Sequence, residues 1–189
     1  MPRARLHSDD TVLDATAGIL LAEGARSASV KAIAGASGAP VGSIYHRYGS
    51  RDGVLVALWE RAVRRFHASY IPAEVPGPDP VATGVAMAAS VAEFAHANAS
   101  DAQILMTLRP EDLLDGKESF ERLNAGIVGA VRRLGDALPV DGERVRMAVV
   151  DLPYGAVRRH LAAGRSVSPA LAAEVGAAAH LLLSDGEGA

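Results

Sequence analysis

The sequence predicts an all-α protein of about nine helices, with an N-terminal three-helix, helix-turn-helix domain ahead of a longer helical body. Three observations predict it. Of 189 residues 49% are apolar but only 4% aromatic, with alanine abundant, which favours closely packed helices over sheets. Apolar residues recur at helical spacing along nearly the whole chain, and no segment alternates as a strand does. Between these segments stand cap residues on one side and Gly or Pro on the other. The length suits one sizeable core, or a small domain joined to a larger one.

The elements follow in order. Ser8 caps a first helix whose dipole suits Asp9 and Asp10; Val12, Ala15, Thr16, Ile19 and Leu20 carry the period, and Gly24 stops it. Ser29 caps a short second helix, Val30 to Ala36, and Ser37-Gly38-Ala39 turns the chain. Pro40 stands where a missing N–H does no harm, at the start of a third helix over Val41 to Tyr48. Gly49 breaks that helix. Ser50 caps a fourth, Arg51 to Tyr70, with Val54, Leu55, Leu58, Ala62 and Phe66 on one face. The stretch "IPAEVPGPDP", residues 71–80, carries four prolines and sets a boundary near residue 72.

Beyond it, Asp79-Pro80 opens a helix to about Asn98, and Ser100-Asp101 another to about Leu108. Arg109 to Gly116 reads as a loop or a distorted turn. Phe120, Leu123, Ile127, Val131 and Leu134 then form a stripe that ends before Pro139. Asp141 caps the next helix, which runs to Ala163, with Pro153 inside it expected to kink it. Ser168-Pro169 opens the last helix, whose apolar side carries Leu171, Val175, Ala178, Ala179 and Leu182. The domains expected are residues 1–50, a connecting helix over 51–71, and the body over 72–189.

Several functional classes are excluded by composition. No run of uncharged apolar residues is long enough to span a membrane, and "MPRARLHSDD" lacks the apolar region of a secretory signal. There is no cysteine, so neither a disulfide nor a Cys-based metal site is available. These features fit a cytoplasmic protein. Asp151 and His160 would stand about 13 Å apart along one helix, and His96, His160 and His180 fall on three different helices with no metal-ligand spacing. Neither an enzyme nor a cofactor is expected. Net charge is −3, yet residues 1–70 hold nine Lys/Arg against six Asp/Glu, and the remainder ten against sixteen. A basic front on an acidic body suits contact with phosphate at one end.

The stretch from Ser37 to Leu55 is the most informative. Two short helices joined by a Gly-containing turn outline a helix-turn-helix, whose second helix enters the major groove. Helices this short need a third behind them, and the first helix supplies it. Ile33, Ala34 and Ile44 are the inward residues. Tyr45 and Tyr48 share one flank of the third helix; Tyr48 is expected mostly buried, while Tyr45 and His46 point outward to phosphate or base edges. Gly42 lets the helix lie close to a duplex. Arg47 is expected simply solvated, and Arg61, Arg64 and Arg65 form a basic cluster on the fourth helix that reads as a solvated face rather than a phosphate flank.

These residues resemble the DNA-binding segment of the tetracycline-repressor (TetR) family. Ser29-Val30, Ile33-Ala34, Gly38, Gly42, Ile44-Tyr45, Tyr48, Ser50-Arg51 and Leu55 fit its usual run, T-V-x-x-I-A-x-x-A-G-V-S-x-G-x-[LI]-Y-x-x-F-x-S-K-x-x-L. The likeness spans about Val12 to Leu58; beyond it only the architecture is similar. It implies a ligand-responsive transcriptional regulator, a repressor rather than an activator, bound as a homodimer to a palindromic operator in double-stranded DNA. It implies that Ser29, Arg51, Tyr45 and His46 hold phosphate, and that Val41 and Ser43 face bases with Lys31 nearby. Pro40 replaces the usual Ser, Ala39 a Val, Tyr48 a Phe, Arg51 a Lys and Ser29 a Thr. The alternative reading is a helical small-molecule carrier whose DNA-binding head has degenerated.

For the body, the resemblance implies binding of a small-molecule effector. Met87, Phe94, Met106, Phe120 and Tyr154 are the candidate lining of a largely apolar pocket between helices. The last two helices, as in "VGAAAHLLL", spread apolar surface around Ala178, Leu181, Leu182 and Leu183, which a two-fold dimer interface would cover.

Overall fold

The computed structural model describes residues 8–71, 75–113 and 116–184, so the expected boundary near residue 72 and the basic residues 1–7 lie outside the described residues. Every regular element among the described residues is helical. They are α1 (Asp9–Glu23), α2 (Val30–Ser37), α3 (Val41–Tyr48), α4 (Arg51–Tyr70), α5 (Pro80–Ala97), α6 (Ala99–Thr107), α7 (Gly116–Asp136), α8 (residues 142–162) and α9 (Pro169–Ser184). Single 3₁₀ turns stand at Ala25–Ser27 and Pro110–Asp112.

Local chemistry explains the starts. Ser8, Ser29, Ser50, Asp79 and Asp141 each accept a backbone N–H three residues on, at 2.9–3.2 Å, satisfying donors that the first turn leaves unpaired. Gly24, Gly38 and Gly49 all have positive φ, which an L side chain rarely adopts, and they end α1, α2 and α3.

The chain forms two compact units. Of the described residues, the first unit holds those up to Val63 and those between 103 and 121; the second holds those between 64 and 102 and those from 122 to 184. In the first unit Val12, Ile33, Ile44, Val54, Leu55, Leu58 and Ile104 are wholly buried. Each such side chain contributes roughly 1.5–3 kcal/mol relative to exposure. Trp59 stacks on Phe120 with centroids 5.8 Å apart.

In the second unit α5 lies along α9. Gly84 permits this, because a Cβ there would run into Leu183 and come within 3.3 Å of Leu134. Phe66 stacks on Tyr70 at 5.1 Å and meets Phe94 edge-on at 5.4 Å. The α7 stripe is shallower than its periodicity predicts. Leu134 is wholly buried, but Leu123, Ile127 and Val131 are only partly covered and Phe120 is exposed.

Pro153 acts through more than a kink. Just before it, Met147–Asp151 form a π turn within α8, and the Leu152 N–H reaches back to the Met147 carbonyl. In an uninterrupted α-helix the Val149 carbonyl would take the N–H of residue 153, which proline lacks. Tyr70 Oη donates to that carbonyl at 2.8 Å, and Tyr70 is 2% exposed. Burial pushes the phenol's pKa well above its ordinary value, keeping it a donor. Tyr70→Phe should therefore destabilise the protein by about 1–3 kcal/mol, since the acceptor is left buried without its partner. Urea unfolding checks this: the midpoint should fall with the slope unchanged.

Candidate nucleic-acid interface

The helix-turn-helix is built from short-range contacts. Val30 and Ile33 turn inward from α2, while Ser29 and Lys31 stay exposed. Ser29 Oγ accepts the Ala32 N–H at 3.2 Å, which leaves its hydroxyl proton available to donate. Ser37 closes α2 by donating to the Ile33 carbonyl at 2.7 Å and accepts the Ala39 N–H at 3.2 Å, so it also sets the turn. Ala39 is buried in that turn despite its small size. Pro40 caps α3 by backbone alone, its carbonyl accepting from Ser43 and Ile44.

On α3, Ile44 is the single buried residue. Val41, Gly42, Tyr45 and His46 are exposed, and their spacing puts them on one face; Ser43 is half-buried. A Cβ at Gly42 would meet nothing within 4 Å among the described residues. Packing within the fold therefore does not require glycine there, whereas close approach of a partner would.

Four residues behave otherwise than the sequence leads one to expect. Tyr48 is half-buried rather than a core wedge, and its Oη donates to Asp9 Oδ1 at 3.1 Å. Burial and then the Asp9 carboxylate push its pKa up to about 12, so it remains a proton donor. Arg47 is not simply solvated: its side chain is 15% exposed, with Nη1 3.0 Å from the same Asp9 oxygen. Arg61 is equally withdrawn, its two terminal nitrogens lying 3.0 Å from Asp10 and 2.8 Å from Asp14. Arg65 pairs with Asp101 at 3.0 Å, a carboxylate that is almost fully buried. Of the acids of α1, the sequence offers Asp9 and Asp10 only as complements to a helix dipole, and Asp14 not at all. Their arginine partners come from α3 and α4, distant in sequence.

Arg51 is likewise turned inward. Its Nε donates to the Ala28 carbonyl at 3.1 Å, Nη2 to that of Ala25, and Nη1 to Asp52 at 2.9 Å. Two of its five N–H groups thus staple the start of α4 to the loop after α1, and a third is spent on the neighbouring Asp52. This is a structural role that the motif alone does not convey.

The five candidate pocket residues are divided. Met87 and Phe94 are buried on α5 in the second unit, with the aromatic group of Phe66 and Tyr70 beside Phe94. Met106 and Phe120 belong to the first unit, Phe120 on Trp59. Tyr154 is 47% exposed, since the preceding Pro153 takes the buried side of α8. A residue not singled out by sequence, His67, lies next to Phe66 with Nε2 buried and no hydrogen-bond partner among the described residues. Burial lowers its pKa, so protonation opposes the folded state and stability should fall as pH drops below the ordinary histidine range.

Residues 12–58 match the family described as bacterial regulatory proteins, tetR family. That segment is similar to the DNA-binding segment of the TetR family. The TetR match coincides with α1 to the middle of α4, the part in which the α2–α3 pair stands. No curated protein sequence matches the chain. Solved structures show the same fold over nearly its whole length. The fatty acid degradation regulator FadR of Bacillus halodurans is 18% identical, with 93% of this chain and 94% of that one covered at a TM-score of 0.74. FadR of Bacillus subtilis, in complex with stearoyl-CoA, is 13% identical, with 94% and 98% covered at 0.69. A TetR-like transcriptional regulator from Rhodococcus sp. RHA1 is 19% identical, with 94% and 96% covered at 0.69. The regular elements of the described residues are all helical, and residues 12–58 are similar to the DNA-binding segment of bacterial transcription regulators. No helix among the described residues is long and apolar enough to cross a membrane.

Proposed function

We propose that this protein is a ligand-responsive repressor that binds a palindromic operator as a homodimer and leaves it when an effector binds. The observation that carries the reading is the outward face of α3, where Val41, Gly42, Tyr45 and His46 are exposed together while Ile44 anchors the opposite side. Tyr45, His46 and Ser29 donate to phosphate, Lys31 adds charge, and Val41 and Ser43 address base edges, thymine methyls among them. Arg51 contributes to the phosphate grip with the N–H groups its staple leaves over. The working division is a DNA-binding segment over residues 1–50, a connecting helix over 51–71 and an effector and dimer region over 72–189, in a cytoplasmic protein.

Dimerisation through α8 and α9 is supported by what they leave uncovered. Leu181 is 64% exposed with Ala173 and Ala177 on the same flank, and α8 exposes Met147, Tyr154 and Gly155. The effector is largely apolar: Met87 and Phe94 offer an apolar wall on α5, and the stearoyl-CoA held by the Bacillus subtilis FadR supports a ligand with a long acyl chain. Because α4 contributes residues to both units, it is the path by which effector binding changes the spacing of the two heads.

The test is fluorescence anisotropy on the DNA upstream of the protein's own gene and on a site selected from random DNA, each against scrambled DNA at two salt concentrations. Selective binding that weakens with salt is expected, with Tyr45→Ala lowering specific affinity about tenfold. Equal, feeble binding to all these DNAs would sink the reading.

A further inference from the structure

We propose that Asp9, at the start of α1, is a positioning residue for DNA recognition: its carboxylate ties down the C-terminal turn of α3 and so aims Tyr45 and His46. The inference rests on the DNA-binding reading above and deepens it. α3 has eight residues and one apolar anchor, Ile44, near its middle. Its N-terminal end is held by the Gly38-Ala39-Pro40 turn. At the other end, two consecutive residues reach a single carboxylate oxygen, Arg47 Nη1 at 3.0 Å and Tyr48 Oη at 3.1 Å. Arg47 Nε also lies 3.4 Å from the Ser43 carbonyl, so the guanidinium runs back along α3 before it meets Asp9. The turn and Ile44 hold the N-terminal half of the helix, and the attachment of Arg47 and Tyr48 to Asp9 adds a hold on side chains of its last turn. Tyr45 and His46 sit directly between the two attachments.

The sign of the effect separates positioning from charge. Asp9 is 57% exposed, so removing it takes a negative charge away from the DNA-binding end. Electrostatics alone would then strengthen binding to any DNA. Loss of aim would weaken only the sequence-specific part.

The test compares Asp9→Ala and Tyr48→Phe with the wild-type full-length chain. Three quantities are read: affinity for a site selected from random DNA, affinity for scrambled DNA, and hydrogen exchange of the backbone amides of residues 45–49 without DNA. With Asp9→Ala we expect the ratio of specific to non-specific affinity to fall about tenfold, while non-specific affinity holds or rises. Exchange in the last turn of α3 should quicken, and Tyr48→Phe should reproduce part of both changes. If both affinities rise together, or exchange in α3 is unchanged, the proposal is overturned. If the wild-type chain shows no sequence preference, the DNA-binding reading fails by itself. The exchange measurement still decides Asp9 in that case: quickened exchange sustains the tie, and unchanged exchange ends it.

Discussion

Ile44→Ala should cost about 2–5 kcal/mol of stability, the range for truncating a fully buried large aliphatic side chain. Ile44 has no exposed surface and is the one buried residue on α3. Its loss removes buried apolar area from the first unit's core and leaves a cavity to the extent that the surrounding side chains fail to collapse into it. An eight-residue helix has little intrinsic stability to fall back on. Since domains are typically stable by only about 5–15 kcal/mol, the variant should melt roughly 5–15 °C lower and lose sequence-selective DNA binding. Ile44→Val, which keeps most of the side chain, should cost about 0.5–1.5 kcal/mol. Thermal melting followed by circular dichroism checks both. An alanine variant that melts with the wild type would show that α3 is not held by this contact.

Gly53→Ala comes next, and its effect is of a different kind. Gly53 lies in the first turn of α4, its N–H donating to Ser50 Oγ at 3.0 Å. A Cβ built there would land on the carbonyl oxygen of Tyr48, the last residue of α3. That oxygen also accepts the Ser50 N–H at 2.8 Å. A side chain in the way can rotate aside, but a carbonyl inside a tight corner cannot move without opening the corner. Roughly 1–3 kcal/mol of destabilisation is expected, together with a displaced α3 and weaker specific binding. Gly42→Ala is the control, because its Cβ meets nothing within 4 Å among the described residues. The fold should tolerate it or gain up to about 1 kcal/mol from helix propensity. Urea unfolding paired with anisotropy separates the two glycines. Equal stability of Gly53→Ala and wild type would mean the corner has slack that its geometry does not show.

The reach of sequence reasoning follows from the range of the forces involved. The boundaries of α1 to α5 were legible because capping and termination are local. Ser8, Ser29, Ser50 and Asp79 act on N–H groups three residues away, and Gly24, Gly38 and Gly49 supply the backbone angles at their own positions. The inward side of the helix-turn-helix was legible for the same reason, since the period of a helix places Ile33 and Ile44 opposite the exposed residues. The motif also carried the family resemblance, because its residue types and spacings sit within one contiguous stretch, residues 12–58.

The arginines were not legible. Arg47, Arg61 and Arg65 sit on helix surfaces where charge ordinarily means solvent, and each finds its carboxylate 36–51 residues away in sequence. Arg51 fits a phosphate-binding motif and nevertheless spends three donors on the fold. Pro153 announced an interruption in α8, but not that Tyr70, 79 residues earlier than Val149, would take up the released carbonyl.

By itself, then, the sequence determined the helices, their ends, the helix-turn-helix and the outward face of α3, all consequences of interactions within a few residues. Only the tertiary structure decided which polar groups meet: Asp9 with Arg47 and Tyr48, Asp10 and Asp14 with Arg61, Tyr70 with Val149. Periodicity states which side of a helix is polar. Which polar side faces which other is set by how the helices cross, and that is a property of the packed core.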